Sequence, residues 1–143
     1  HVNVATGGTR VNVIAAEARA LIDVRVSRAS DMRRLEQRFH MLRPILKGAR
    51  LQISGGISRP PMERKMTAAL YEHAKQLAAQ IGIPISEISA GGGSDGNFTT
   101  ALGVPTLDGL GAVGENAHSP RENILTRALA PRAALIAALL ATL

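Results

Sequence analysis

The chain has 143 residues, 45% of them hydrophobic, and a formal net charge of +6, enough for one domain with a real core or two small incomplete ones. It contains no cysteine, which removes disulfide frameworks, thiolate metal sites and cysteine nucleophiles, and its rings are limited to Tyr71, Phe39 and Phe98, which leaves no base-stacking platform for nucleic acid. The longest apolar run, Ala133 to Ala141, is too short to span a bilayer and reads as a buried helix.

His1 to Val4 already alternate like a strand, with no initiator methionine or signal-type segment before them, so the chain reads as starting in mid-fold. Val2 to Ala5 and Val11 to Ile14 predict two short strands around the turn-like Thr6-Gly7-Gly8-Thr9. From Ala18 to Val26, small and apolar residues occupy one parity and Arg19, Asp23 and Arg25 the other, which predicts a half-buried strand. Met32, Leu35, Phe39, Leu42 and Leu46 then recur at helical spacing, with Ser30 as the predicted N-cap and Pro44 ending or disrupting the run. Arg50 to Ser54 predicts another strand, and Gly55-Gly56-Ile57-Ser58-Arg59-Pro60-Pro61 marks a hinge or domain boundary.

Beyond it, Met66, Leu70, Ala74, Leu77 and Ile81 form the apolar stripe of a helix from about Glu63, closed by Gly82 with Pro84 following. Ile85 to Ser89 predicts a short strand, Asp95 to Leu102 a short helix stopped by Gly103, and Val104 to Leu107 a further strand. This is a β-loop-α-β order, in which ligands collect beyond strand C-termini. A last helix runs from near Ala130 to Leu143, with Pro131 in its first turn. Charge divides along the same line: residues 1–62 carry eleven basic against four acidic side chains, residues 63–143 six against seven. The arginines form no tract, so small anionic substrates fit them better than a nucleic acid.

Two loops carry the candidate chemistry. Gly91-Gly92-Gly93-Ser94-Asp95-Gly96 can serve as a tight turn or, at a helix N-terminus, as a cradle of backbone N–H groups for a carboxylate or phosphate. It matches neither Gly-x-Gly-x-x-Gly nor the phosphate loop ending in Gly-Lys-Ser/Thr. His118 lies in a loop beside Asn116, Ser119 and Pro120, with Glu115 and Glu122 as the ordinary metal partners nearby, whereas His1, His40 and His73 read as structural or surface residues. Ser94-Asp95 reads as a helix cap, since no Gly-x-Ser-x-Gly elbow supports a serine nucleophile. Arg25 on the polar face of its strand and Arg59 after the glycine pair can clamp a carboxylate bidentately or simply stay solvated.

Five segments, Thr6 to Ile14, Ala20 to Arg25, Ser58-Arg59-Pro60-Pro61, Gly91 to Asp95 and His118-Ser119-Pro120, together resemble the M20 metallopeptidases, nearest the glutamate carboxypeptidase (carboxypeptidase G2-like) branch, and the resemblance spans the chain in order. It implies an α/β, overall α+β, dizinc catalytic domain interrupted by a ferredoxin-like dimerisation, or lid, domain. Residues 1–62 resemble the second half of that lid, and residues 63–143 the closing segment of the catalytic domain. By the same resemblance, His118 matches the last zinc-ligand position. Asn12, Arg25 and Arg59 match lid positions that orient the substrate or its C-terminal carboxylate, and Gly91, Gly92 and Gly93 match the loop lining the substrate pocket. The reaction it implies is hydrolysis of an amide bond with two zinc ions as cofactor, on a small peptide or an N-acyl amino acid, in a homodimer.

Ala15 stands where the family usually has proline after Asn-Val-Ile. The His-x-Asp segment, the bridging Asp, the Glu-Glu pair carrying the general base, the remaining acidic ligand and the lid histidine all belong before residue 1 in family order. The resemblance therefore implies a C-terminal portion that supplies one zinc ligand and a carboxylate pocket, with its missing N-terminal segment as a partner, no catalytic base of its own, and no role for nucleic acid or membrane. A rival expectation is a non-catalytic module that self-associates through unpaired lid strands. Another is a small anion-binding domain on the glycine loop, in which carboxylate binding survives Arg59→Ala and fails on Gly92→Val. Cytoplasm and periplasm both remain open as compartments.

Overall fold

The computed structural model describes residues 1–143 and shows an α+β chain of four helices and two separate two-stranded sheets. Strand β1 (Val2–Gly7) pairs antiparallel with β2 (Ala18–Ile22), from Val2 opposite Ile22 to Gly7 opposite Ala18, with an irregularity between Val2 and Val4. The intervening segment, which contains Val11 to Ile14, is a long loop and not the second strand of a tight hairpin; Ile14 is 90% exposed. The longer closure prevails because the alternating run from Ala18 offers β1 a full ladder. The predicted strand to Val26 stops at Ile22, followed only by a reciprocal pair of backbone bonds between Asp23 and His1, at 2.9 and 2.7 Å.

Helix α1 (Ala29–Met41) presents Met32, Leu35 and Phe39 on one half-buried stripe, as their spacing predicts, and ends before Pro44, so Leu42 and Leu46 stay outside it. Ser30 is not its cap. The first-turn N–H of Ala29 donates instead to Glu63 Oε1 at 2.8 Å, a cap supplied from 34 residues away.

A 3-10 turn at Arg64–Met66 leads into α2 (Ala68–Gln80). Gly82, at φ +70°, ends α2 as a C′ residue should: its N–H reaches Ala79 O at 3.2 Å and that of Ile83 reaches Ala78 O at 2.8 Å, a Schellman closure. Helix α3 (Gly96–Ala101) follows the glycine run, β3 (Gly114–Glu115) and β4 (Asn123–Ile124) form a minimal antiparallel pair, and α4 (Leu129–Thr142) carries Pro131 in its first turn. Small residues on α2 let α4 approach closely: Ala74 and Ala78 meet Leu135 and Leu139 in a four-residue core, with Leu77, Ile83, Ile85, Leu107 and Leu110 packed around it. His73 Nε2 and Thr142 Oγ1, 2.8 Å apart, fasten the two helices at one end.

The predicted strands Arg50 to Ser54, Ile85 to Ser89 and Val104 to Leu107 have no ladder, so the β-loop-α-β unit is not formed. A strand pattern says which face a segment would bury and cannot supply the neighbouring strand. The last of the three is held to other elements by single bonds and not by a ladder: Val104 N to Thr99 O at 3.1 Å, Thr106 N to Met66 O at 3.3 Å, and the Thr99 and Thr106 hydroxyls 2.7 Å apart. The surface shows the same shortfall. The chain exposes 11705 Å², whereas a folded monomer of 15.0 kDa exposes about 7,000 Å² by the usual scaling, and only five residues are buried. The helices and the β1–β2 pair are thus correctly patterned pieces with few internal partners. No helix is long and apolar enough to cross a membrane.

Glu63 joins the two halves electrostatically. A hydrogen bond from Lys65, then the one from Ala29 N–H, hold its carboxyl below the usual glutamate range, and a hydrogen bond from Arg64 does the same to Glu87. Because the folded value is the lower one, the contribution of the Glu63 cap is complete above the unfolded glutamate value of about 4.3 and disappears as pH falls through the depressed folded value. Hydrogen exchange at Ala29 is therefore expected to be flat in its protection near neutrality and to lose protection only below the ordinary carboxylate range. Glu63→Gln, which keeps an acceptor and cannot titrate, is expected to remove that acid transition.

Candidate functional site

The segment after Gly55-Gly56 and the loop before α3 come together through Arg59, Phe98 and Asn97. Arg25, just beyond β2, donates from Nε to Asp23 Oδ2 at 2.9 Å and from Nη1 to the Gly91 carbonyl at 2.7 Å, 66 residues away in sequence. Arg59 reaches the other end of the glycine run. A Cβ built on Gly93 would lie 2.8 Å from Arg59 Nη1 and 2.9 Å from its Cδ, so the guanidinium occupies the space a side chain there would fill. Arg59 Cζ stands 5.0 Å from the centroid of the Phe98 ring, a cation–π arrangement. The only acidic oxygen within 4 Å of Arg59 is Asp95 Oδ1, at 3.7 Å, too long for a hydrogen bond. Both arginines remain partly exposed and keep N–H groups free for a ligand.

A reciprocal cap builds the loop beneath them. Ser94 Oγ accepts the Gly96 N–H at 2.9 Å, and Asn97 Oδ1 reaches back to the Ser94 N–H at 2.8 Å, the geometry of a capping box. The other end of the Asn97 amide, Nδ2, donates to the Pro60 carbonyl at 2.8 Å and so pins the residue after Arg59 to α3. Ser94 caps as expected, whereas Asp95 does not: its carboxylate is 99% exposed and makes no capping bond.

These bonds change the role open to the glycine run. The N–H groups of Ser94, Gly96, Asn97 and Phe98 are already satisfied within the chain, α3 has only six residues, and the Gly91 carbonyl is an acceptor for Arg25. A Cβ on Gly91 or Gly92 would meet nothing within 4 Å, so close approach is needed at Gly93 alone. The site thus combines two arginines with a glycine loop whose own N–H groups, at Gly91, Gly92 and Gly93, make no bond within the chain.

Asn12 lies in the β1–β2 loop and makes no hydrogen bond to Arg25, Arg59 or the glycine run. A groove of about 380 Å³ under that loop, lined by Thr6 to Thr9 and Val13 to Arg19, contains none of the candidate residues.

His118 belongs to a separate turn between β3 and β4. Its φ is +64° and that of Asn116 is +59°, with Ser119 N bonded to Asn116 O at 3.1 Å and Leu125 N to Val113 O at 2.8 Å across the base. Gly114 permits this closure, since a Cβ there would run into the Asn123 carbonyl. A left-handed backbone is uncommon for a residue other than glycine, and such positions concentrate at functional sites. His118→Gly is expected to raise thermal stability by up to about 1 kcal/mol through relief of that backbone, while removing the imidazole; a drop in stability on thermal unfolding would show that the side chain packs the turn.

No group of three His, Cys, Asp or Glu lies together that could hold a metal ion, so the donors of this chain do not fit a zinc site by themselves. His118 is an isolated donor.

The sequence reading missed the roles of Asn97, Phe98 and Glu63, and the β3–β4 turn. The Ser94-x-x-Asn97 spacing was a legible cap signal, and Asn116 a legible left-handed residue, whereas Glu63 and Phe98 act on residues more than thirty positions away and carry no local signature.

Comparison with known proteins bears on the whole length. The model of peptidase family M20/M25/M40 matches residues 4–142. The uncharacterized protein YqjE of Bacillus subtilis (strain 168) is 26% identical over 140 residues, covering 94% of this chain and 37% of that protein, so the chain spans well under half the length of this relative. No solved structure matches.

Proposed function

The chain belongs to peptidase family M20/M25/M40, and from that premise we propose that it forms the C-terminal part of a zinc-dependent carboxypeptidase or amidohydrolase, nearest the carboxypeptidase G2-like branch, that releases a glutamate-like C-terminal amino acid. Residues 1–62 are the second half of a lid and residues 63–143 the closing segment of the catalytic domain. Arg25 and Arg59 grip the carboxylate of a small peptide or N-acyl amino acid over Gly91 to Gly93. The observation that carries this reading is the convergence of two arginines, 34 residues apart, on one glycine loop with guanidinium donors to spare. Two planar forks suit a carboxylate better than a neutral end group, since charge-assisted bonds are the stronger ones. Asn12 joins the pocket in the complete enzyme, where His118 adds one ligand to a dizinc centre whose other ligands and general base come from the N-terminal segment.

Combining this chain with the N-terminal segment of the same enzyme and zinc, and assaying release of a C-terminal glutamate, tests the proposal. Activity is expected from the mixture and from neither piece alone; an inactive complex of demonstrated composition would count against it. Titrated alone, the 143-residue chain is expected to bind zinc weakly or not at all.

A second reading, a non-catalytic self-association module, draws on the β1–β2 pair, whose every residue is exposed and whose outer edges are unpaired. Light scattering separates the two: a stable homodimer without zinc affinity favours the module.

A further inference from the structure

The segment from Gly93 to Phe98 does more than border a pocket: it packs against Arg59 and holds its neighbour Pro60. Phe98 lies under the guanidinium, Gly93 opens the space its Nη1 and Cδ occupy, and Asn97 Nδ2 holds the Pro60 carbonyl at 2.8 Å. Arg59 arrives from a loop that belongs to no helix or strand, so its own backbone does little to aim a long side chain with four rotatable bonds. The ion pair with Asp95 does little either: at 3.7 Å, with the carboxylate 99% exposed, it is solvent-screened. What remains to fix the guanidinium is the aromatic face and the missing Cβ.

We propose that Phe98 and Gly93 are positioning residues for Arg59, a seat that orients its fork toward the carboxylate of an amino-acid substrate, with Asn97 anchoring the hinge beside it. The proposal rests on the carboxylate reading for its purpose and on the geometry around Arg59 for its substance. It unites the residues of Gly93-Ser94-Asp95-Gly96-Asn97-Phe98 in a single role. Ser94 and Asn97 build the turn, Asn97 also ties it to Pro60, and Phe98 and Gly93 present a slot of fixed shape. Because Phe98 is 44% exposed and makes no part of the buried core, replacing it changes the seat far more than the fold.

Proton NMR of the 143-residue chain tests this. In the unsubstituted chain, the Hδ and Hε resonances of Arg59 are expected upfield of free arginine, from the ring current of Phe98. Phe98→Leu, similar in bulk without a π face, is expected to abolish the shift; Phe98→Tyr to retain it; and Gly93→Ala to alter it by displacing the guanidinium. With N-acetyl-L-glutamate as the probe, Phe98→Leu and Gly93→Ala are expected to weaken binding about three- to fivefold and Phe98→Tyr to retain it, while none of the three substitutions shifts the Arg25 resonances of the ligand-free chain. Arg59 resonances at free-arginine positions in the unsubstituted chain, or unaltered by Phe98→Leu, would overturn the proposal. So would an affinity that both substitutions leave intact while Arg59→Ala lowers it. Failure of the underlying reading looks different: Arg59→Ala then binds the probe normally although the ring-current shift is present.

Discussion

Arg59→Ala is expected to weaken binding of N-acetyl-L-glutamate about tenfold, the largest functional effect of any single substitution outside the β3–β4 turn. A hydrogen bond to a charged partner is worth about 1.5–3 kcal/mol, and the partial exposure of Arg59 places it at the low end of that range. Arg25→Ala is expected to cost less, because Arg25 already spends Nη1 on the Gly91 carbonyl and Nε on Asp23, leaving fewer donors for a ligand. Arg59→Lys falls between, since it keeps the charge and loses both the planar fork and the stacking on Phe98. Titration of the three variants gives the order directly. An Arg25→Ala defect larger than that of Arg59→Ala would mean that the Gly91 contact carries the site.

Leu135→Ala is expected to have the largest effect on stability, about 2–4 kcal/mol. Leu135 is fully buried and is the only large side chain so enclosed; with Leu139 it fills the space left by Ala74 and Ala78 across the α2–α4 contact. The layer around this four-residue core, Leu77, Ile83, Ile85, Leu107 and Leu110, is only partly buried and closes over a cavity poorly, so the loss is expected to loosen the α2–α4 contact. Leu140→Ala, one residue from Leu139 and 76% exposed, is expected to change stability by less than about 0.5 kcal/mol. Urea unfolding of both variants checks the contrast, and equal losses would show that the outer face of α4 is covered in solution.

The helices were legible because their signals are local. The stripe Met32, Leu35, Phe39 marks α1, the apolar face of α2 ends at Gly82, and Pro131 takes its place in the first turn of α4. Strands fared worse for a physical reason. Val2 to Gly7 formed a ladder because Ala18 to Ile22 lies within reach in the same chain, whereas Arg50 to Ser54, Ile85 to Ser89 and Val104 to Leu107 carry the pattern of buried strands without a neighbour to bond to. An accessible surface of 11705 Å² is the quantitative side of the same shortfall, and it accords with a chain that covers 37% of a relative's length.

The candidate site was half legible. The types Arg25, Arg59 and Gly91 to Gly93 could be read as a carboxylate clamp, and the structure brings these together. What could not be read was how the glycines act, because that depends on Arg59 lying against Gly93, on Asn97 taking the Ser94 N–H, and on its amide donating to the Pro60 carbonyl. Asn12 and His118 stand apart from the clamp, the first in the β1–β2 loop and the second in its own strained turn.

Recognition of a carboxylate by the two arginines and the glycine loop is the property on which the proposed function stands. Its most direct test is a paired NMR titration of the 143-residue chain with N-acetyl-L-glutamate and with N-acetyl-L-isoglutamine, the same compound with its α-carboxylate converted to an amide. The acid is expected to bind more tightly and to move the side-chain resonances of Arg25 and Arg59 together with the amides of Gly91 to Gly93. Equal binding of the two compounds, or shifts confined to other parts of the chain, would contradict it.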